Sequence, residues 1–203
     1  MKILFCKTSY MKYYRGASED DIPYNGGTYV KENGYGNEQY NFDPVRLEDG
    51  KAYCLGFVET KSNRNKINDL HIERISGCEG LKNQDRAEDV LVVWCATMAP
   101  GTTRVVGWYK HATVFRSYQE CDFDNGYVQD YNVIAEANDC FLLPLNERGL
   151  MKWNVRTAKE CGYGFGQALV WFGTEDEAQD YIKELTDLIE NFDERNCIES
   201  QLL

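Results

Sequence analysis

The segments VLVVWCA (residues 90–96) and RVVGWYKHATVFRSY (residues 104–118) decide the fold. The first is short, apolar and rich in β-branched residues, the pattern of a central strand. A Pro100-Gly101 turn separates it from the second, which supplies one or two further strands. Working outward, residues 1–10 alternate loosely as a first strand, and residues 51–60 (KAYCLGFVET) form another in which Gly56 allows close approach. Residues 70–75 (LHIERI) alternate apolar and polar, the period of a half-buried strand. Residues 133–143 and 153–170 carry the remaining apolar runs, the latter with the Gly-rich GYGFGQ.

One helix stands out near the C-terminus. Ala178, Tyr181, Ile182, Leu185, Leu188, Ile189 and Phe192 recur at helical spacing, with acids on the opposite face. Thr174 and Glu177 have the spacing of a capping box, which sets the expected start. With no βαβ alternation and no internal repeat, the expected class is α+β: a bent, mostly antiparallel sheet or small barrel with peripheral helices and an acidic amphipathic helix at about 175–192.

The composition of the 203 residues, 43% hydrophobic and 13% aromatic with 4 Pro and 17 Gly, is that of a globular chain and excludes disorder or a fibre. A single domain over residues 1–203 is expected. No apolar run approaches the roughly 20 residues needed to span a bilayer, and residues 1–10 lack the apolar core and cleavage site of a signal peptide. The expected location is the cytoplasm. Eight scattered cysteines with no C-x-x-C, and only His71 and His111, predict buried free thiols and no structural metal or other cofactor. The net charge of -11 argues against a strong duplex binder. It is unevenly spread, however: residues 174–203 hold 10 acidic and 2 basic side chains, leaving 23 acidic and 20 basic in the first 173.

Walker, G-x-S-x-G and H-E-x-x-H motifs are absent. Gly162, Gly164 and Gly166 precede a strand-like run instead of opening a helix, so they read as a tight turn and not a dinucleotide fingerprint. Asp43, Glu59 and Lys61 have the spacing of a metal-dependent nuclease core, an alternative enzymatic reading. A third reading is a protein interaction module whose acidic C-terminal helix binds a basic partner. The segment 104–118 interleaves Trp108, Tyr109, Phe115 and Tyr118 with Arg104, Lys110, His111 and Arg116. Aromatic faces stack bases and cations meet phosphates. Strand alternation would put Trp108, Lys110 and Ala112 on one face and Tyr109, His111 and Thr113 on the other. The long loop over residues 15–43, dense in Gly, Asn and Tyr, reads as ordered and functional.

The stretches PYNGGTYVKENGYGNEQYNF (23–42), DVLVVWCA (89–96), RVVGWYKHATVFR (104–116) and GYGFGQALVWF (162–172) resemble a bacterial domain found at the N-terminus of predicted HNH restriction endonucleases and in stand-alone form. The order of a V-V-W strand and a V-V-G-W-Y strand is also similar to the PUA-like superfamily of EVE, YTH and ASCH modules. That resemblance implies a PUA-like β-barrel holding a flipped or modified base between aromatic side chains, in a bacterial or phage defence or counter-defence system. It implies a pocket near Trp94 or Trp108, closed by the loop from Asn25 to Tyr35 that includes Tyr29. The first reading is therefore a non-catalytic module for a nucleobase-containing ligand in modified DNA, RNA or a free nucleotide. In it the base stacks on Trp108 or Trp94 beside Tyr109, its edge is read by Asn25, Gly26, Gly27 and Gln167, and phosphate is held by Lys110 and Arg116. The nuclease half of the family is missing, because two histidines cannot build a His-Asn-His constellation.

Overall fold

The computed structural model describes residues 1–25, 36–60, 69–98, 101–123 and 126–198. Eight strands make one open sheet: β1 (Ile3–Thr8), β2 (Pro44–Arg46), β3 (Ala52–Gly56), β4 (Arg86–Met98), β5 (Thr102–Asp122), β6 (Val128–Glu136), β7 (Cys140–Leu142) and β8 (Val170–Trp171). Their order is β2-β3-β6-β5-β4-β1-β8, with β7 on the other part of β5. All pairings are antiparallel except β1 with β4. The class is α+β, and β2 and β8 are the free ends of the sheet among the described residues.

The uninterrupted apolar run of β4 has a direct cause: both faces of the sheet are covered there. Val92, Trp94 and Ala96 join Leu4, Cys6, Phe42 and Tyr109 in one core. Val93 and Cys95 join Ile3, Phe5, Trp108 and Trp153 in another. The second core is closed by a helix (Gln179–Glu190), which buries Tyr181, Ile182, Leu185 and Ile189 as the sequence period requires. Gly56 is where β3 passes the first core, since a Cβ there would lie 2.4 Å from the Trp94 ring.

Three local expectations are corrected. The helix does not start at a Thr174–Glu177 capping box. A 3-10 turn (Asp176–Ala178) leads into it, and no side chain caps it. Glu175 instead accepts Trp171 Nε1–H, and Gln179 Nε2 reaches back to the Gly173 and Glu175 carbonyls. Residues 70–75 are not a strand: a 3-10 turn (Ile72–Arg74) lies there, and Leu70, Ile72, Ile75 and Cys78 are all buried, a spacing set by turns and not by pleat. Alternation also fails along β5. Tyr109 and Ala112 fall on the same core, opposite to Trp108, because the strand bulges between them.

The Gly-rich stretch is a tight turn against the chain's own backbone. Gly164 has φ +106°, and a Cβ on it would sit 2.2 Å from the Arg156 carbonyl oxygen. None of the eight cysteines forms a disulfide, and five of them are buried. Among the described residues no helix is long and apolar enough to cross a membrane.

Candidate functional site

Beyond the last residue of β3, the chain runs through Glu59 and Thr60. With the segment 69–74 and the segment 164–175, these residues enclose an open cleft of about 660 Å³. That volume lies in the range of small-molecule sites. β8 and the residues around it form one wall, fixed to β1 by the Lys7 N–H to Leu169 carbonyl bond at 2.7 Å.

Two planar groups shape the cleft. Phe172 is nearly buried, and the Arg74 guanidinium lies over its ring at 4.6 Å from the centroid. Arg74 is exposed, and its guanidinium makes no hydrogen bond or ion pair with any of the described residues. Its guanidinium is thus a flat cation backed by an aromatic ring on one side. Glu59, Asp69 and Glu175 line the same cleft. The last is oriented by Trp171, whose indole N–H donates to both its oxygens at 2.9 and 3.1 Å. Trp171 is itself locked by stacking on Phe5 at 4.4 Å. Thr60 is held through its N–H and hydroxyl by Tyr118 Oη at 2.8 and 2.9 Å.

Beside the cleft, a charge cluster fixes the 69–74 segment. Glu73 binds His71 Nδ1 through one oxygen and Arg116 Nη1 through the other, both at 2.8 Å. Partial burial raises the Glu73 carboxyl pKa, but its own backbone N–H, His71 and Arg116 outweigh that and hold it down at about 2. Burial pushes the Glu38 pKa up, Ser9 opposes this, and the Glu59 charge adds to it.

The expected site residues are mostly elsewhere. Trp94 is 0% exposed and packs edge-on against Tyr109 at 5.4 Å. Trp108 is 2% exposed, with Phe141 stacked at 4.7 Å, Trp153 stacked at 5.7 Å and Phe192 against its edge. Neither ring has a face left for a base, and Tyr109 is equally buried. Arg116 is a clamp: its guanidinium spends its donors on Glu73 and on the Leu81 and Gln84 carbonyls. Lys110 pairs with Glu190 at 2.8 Å. Asn25, at φ 58°, donates to the Thr97 carbonyl. Gln167 is exposed and adjoins Ala168, which lines the cleft. Gly26, Gly27, Tyr29, Tyr35 and Lys61 lie outside the described residues.

Of the nuclease trio, Asp43 and Glu59 fall within the described residues and Lys61 does not. Burial raises the pKa of Asp43, with Arg15 opposing, whereas Glu59 stands at the cleft. Among those residues no three His, Cys, Asp or Glu side chains converge as metal ligands would.

Sequence reasoning missed Arg74, Phe172, Asp69 and Glu175. Arg74 was hidden in an apparent strand and Phe172 in an apolar run. Nothing in either pattern says that a guanidinium and a ring 98 residues apart will stack.

Chemically, the cleft offers a flat platform ringed by hydrogen-bond acceptors. Such a site suits a planar ligand with N–H donors on its edge and repels phosphate. No family model, curated protein or solved structure matches this chain.

Proposed function

We propose that the protein is a non-catalytic recognition module for a nucleobase, and that the base stacks on Arg74 in the cleft between Glu59, Asp69 and Glu175. The observation that carries this reading is the guanidinium held over the Phe172 ring, 4.6 Å from its centroid, and otherwise unpaired among the described residues. Guanidinium planes and aromatic rings are the two platforms on which proteins hold splayed-out bases. The carboxylates favour a base whose edge presents N–H groups, an amino group beside a ring N–H above all. Three acids around one permanent cation disfavour a polyphosphate backbone, so a free base, a nucleoside or an extruded base fits better than duplex DNA. The likeness to PUA-like base readers, and with it the barrel and the place in a defence system, agrees with this chemistry but rests on sequence resemblance alone.

The test is calorimetric titration of the protein and of Arg74→Ala with a panel of nucleosides, their monophosphates and single-stranded oligonucleotides. A stack is worth about 1–3 kcal/mol, so Arg74→Ala should weaken binding about 5- to 150-fold. Glu59→Gln and Asp69→Asn should weaken donor-rich bases more than others. Absence of binding by every member of the panel, or affinity unchanged in Arg74→Ala, would refute the proposal.

A further inference from the structure

A second feature lies apart from the cleft, where β4 and β5 pair near the start of β1. Two bulges stand back to back. Between the pairs Ala87–Val114 and Val90–Ala112, Glu88 and Asp89 face Thr113 alone. Between Val90–Ala112 and Val92–Tyr109, Lys110 and His111 face Leu91 alone. Asp89 at φ 58° and His111 at φ 50° both take the left-handed conformation. Their side chains meet, His111 Nδ1 to Asp89 Oδ1 at 2.7 Å, with 69% and 71% of each exposed.

Stability does not account for this arrangement. Left-handed backbone is unfavourable for an L-residue, less so for Asp and His. An ion pair as exposed as this one contributes little. Two strained positions therefore exceed what the pair contributes. Bulges re-aim side chains, and strain held at a surface points to use.

The imidazole is aimed at a pocket of about 450 Å³ whose polar lining is dominated by donors: His111, Lys2, Lys110 and Ser76, together with Asp89 and Glu190. Asp89 engages Nδ1 and leaves Nε2 as the free ring nitrogen. Lys2 Nζ donates to the Glu88 carbonyl and Lys110 Nζ to Glu190, each at 2.8 Å. Each ammonium keeps donors to spare. With the imidazole protonated, the lining is net positive in a chain of net charge -11.

We propose that this pocket binds a phosphate-bearing ligand, with His111 Nε2–H, Lys2 and Lys110 as donors to its oxygens. The site is independent of the base cleft and stands or falls separately. Binding is strongest when His111 is protonated. The hydrogen bond that His111 donates to Asp89 raises the imidazole pKa, slight burial opposes it, Asp139 adds to it and Lys110 opposes it. Glu190, Lys2 and the amino group of Met1 complete the charged groups of the lining. Affinity should therefore fall as pH rises through the His111 pKa.

The chain has only two histidines, and His71 lines the base cleft and not this pocket, so it serves as an internal control for inorganic phosphate in NMR titrations of the imidazole resonances. The probes are inorganic phosphate, a nucleoside monophosphate, the matching nucleoside, and sodium chloride at matched ionic strength. Inorganic phosphate should raise the His111 pKa by about one unit, a tenfold preference for the imidazolium form, and leave His71 unmoved. The nucleoside should do nothing at His111. A response to the monophosphate alone would support the site with a nucleotide as the source of the phosphate. His111→Asn keeps a residue that tolerates the left-handed backbone, and phosphate binding to it, followed by ³¹P NMR, should lose its pH dependence. Lys2→Gln and Lys110→Gln should each weaken phosphate binding severalfold. Equal shifts at His71 and His111 with inorganic phosphate, an equal effect of chloride, or an unchanged pH profile in His111→Asn would overturn the proposal.

Discussion

Replacing Trp108 with alanine separates a core role from a ligand-stacking role, and the structure fixes the expected outcome. The ring is 2% exposed, lies 4.7 Å from Phe141 at an interplanar angle of 7°, and also touches Trp153 and Phe192. Truncating a buried Trp costs about 3–5 kcal/mol, and each aromatic pair adds about 0.5–1.5 kcal/mol beyond area. The loss should therefore fall near the top of that range, about 4–5 kcal/mol. Against a whole-domain stability of about 5–15 kcal/mol, this is a large fraction. At about 2–4 °C per kcal/mol for a chain of this size, the midpoint should drop by at least about 8 °C. Urea titration followed by far-ultraviolet circular dichroism is the assay, since removing an indole changes the fluorescence baseline. Trp108→Phe keeps a ring between Phe141 and Trp153 and should cost less than about 2 kcal/mol. A Trp108→Ala protein within about 1 kcal/mol of its parent would refute the packing argument.

Three further perturbations follow from the same structure. Arg148 is wholly buried and donates to the Leu143, Met11 and Lys12 carbonyls at 2.7, 2.8 and 3.0 Å. Arg148→Met, which leaves those carbonyls without their donor, should cost at least about 3 kcal/mol in denaturant titration. Glu73, held at about 2, sits below the unfolded value of about 4.3. Its contribution is complete above that unfolded value and is lost as pH falls toward 2. Glu73→Gln should then be less stable than the parent by about 1–3 kcal/mol at neutral pH, and the gap should close in melts taken near pH 2. On the C-terminal helix, Leu185→Ala should cost about 2–5 kcal/mol, whereas Glu184→Gln on the exposed side should stay within about 0.5 kcal/mol. Equal effects in urea would mean the helix faces are misassigned.

The parts of this fold that a sequence can announce are those whose period is set locally. The helix period over residues 178–192 and the apolar run of β4 both survive in the structure because the apolar face of the one and the run of the other are packed on a core. LHIERI misled for a physical reason: its apolar residues are spaced for successive 3-10 turns, which a six-residue window cannot tell from a pleat. The bulge at Lys110–His111 broke the alternation on which the face assignment of Trp108 rested, and no residue type in that stretch demands a bulge. The candidate cleft was the least legible. Aromatic and cationic residues were sought along one strand, whereas the stacked pair comes from Arg74 and Phe172, brought together by the packing of β8 on β1 and by the turns of residues 70–78. Trp94, Tyr109 and Thr8 are instead interior groups whose side-chain polar atoms find no hydrogen-bond partner among the described residues, which the sequence does not signal.

The central claim is that a base lies on the Arg74 guanidinium. The most direct measurement follows the Arg74 Nε–Hε resonance by ¹H–¹⁵N NMR while a donor-rich nucleoside such as guanosine is added. A ring stacked on the guanidinium plane should move that resonance upfield in a saturable manner, with the Arg148 Nε–Hε signal of the buried clamp unmoved and Arg74→Lys unable to restore affinity. No saturable shift at Arg74 with any nucleoside, or equal shifts at Arg74 and Arg148, would contradict the account.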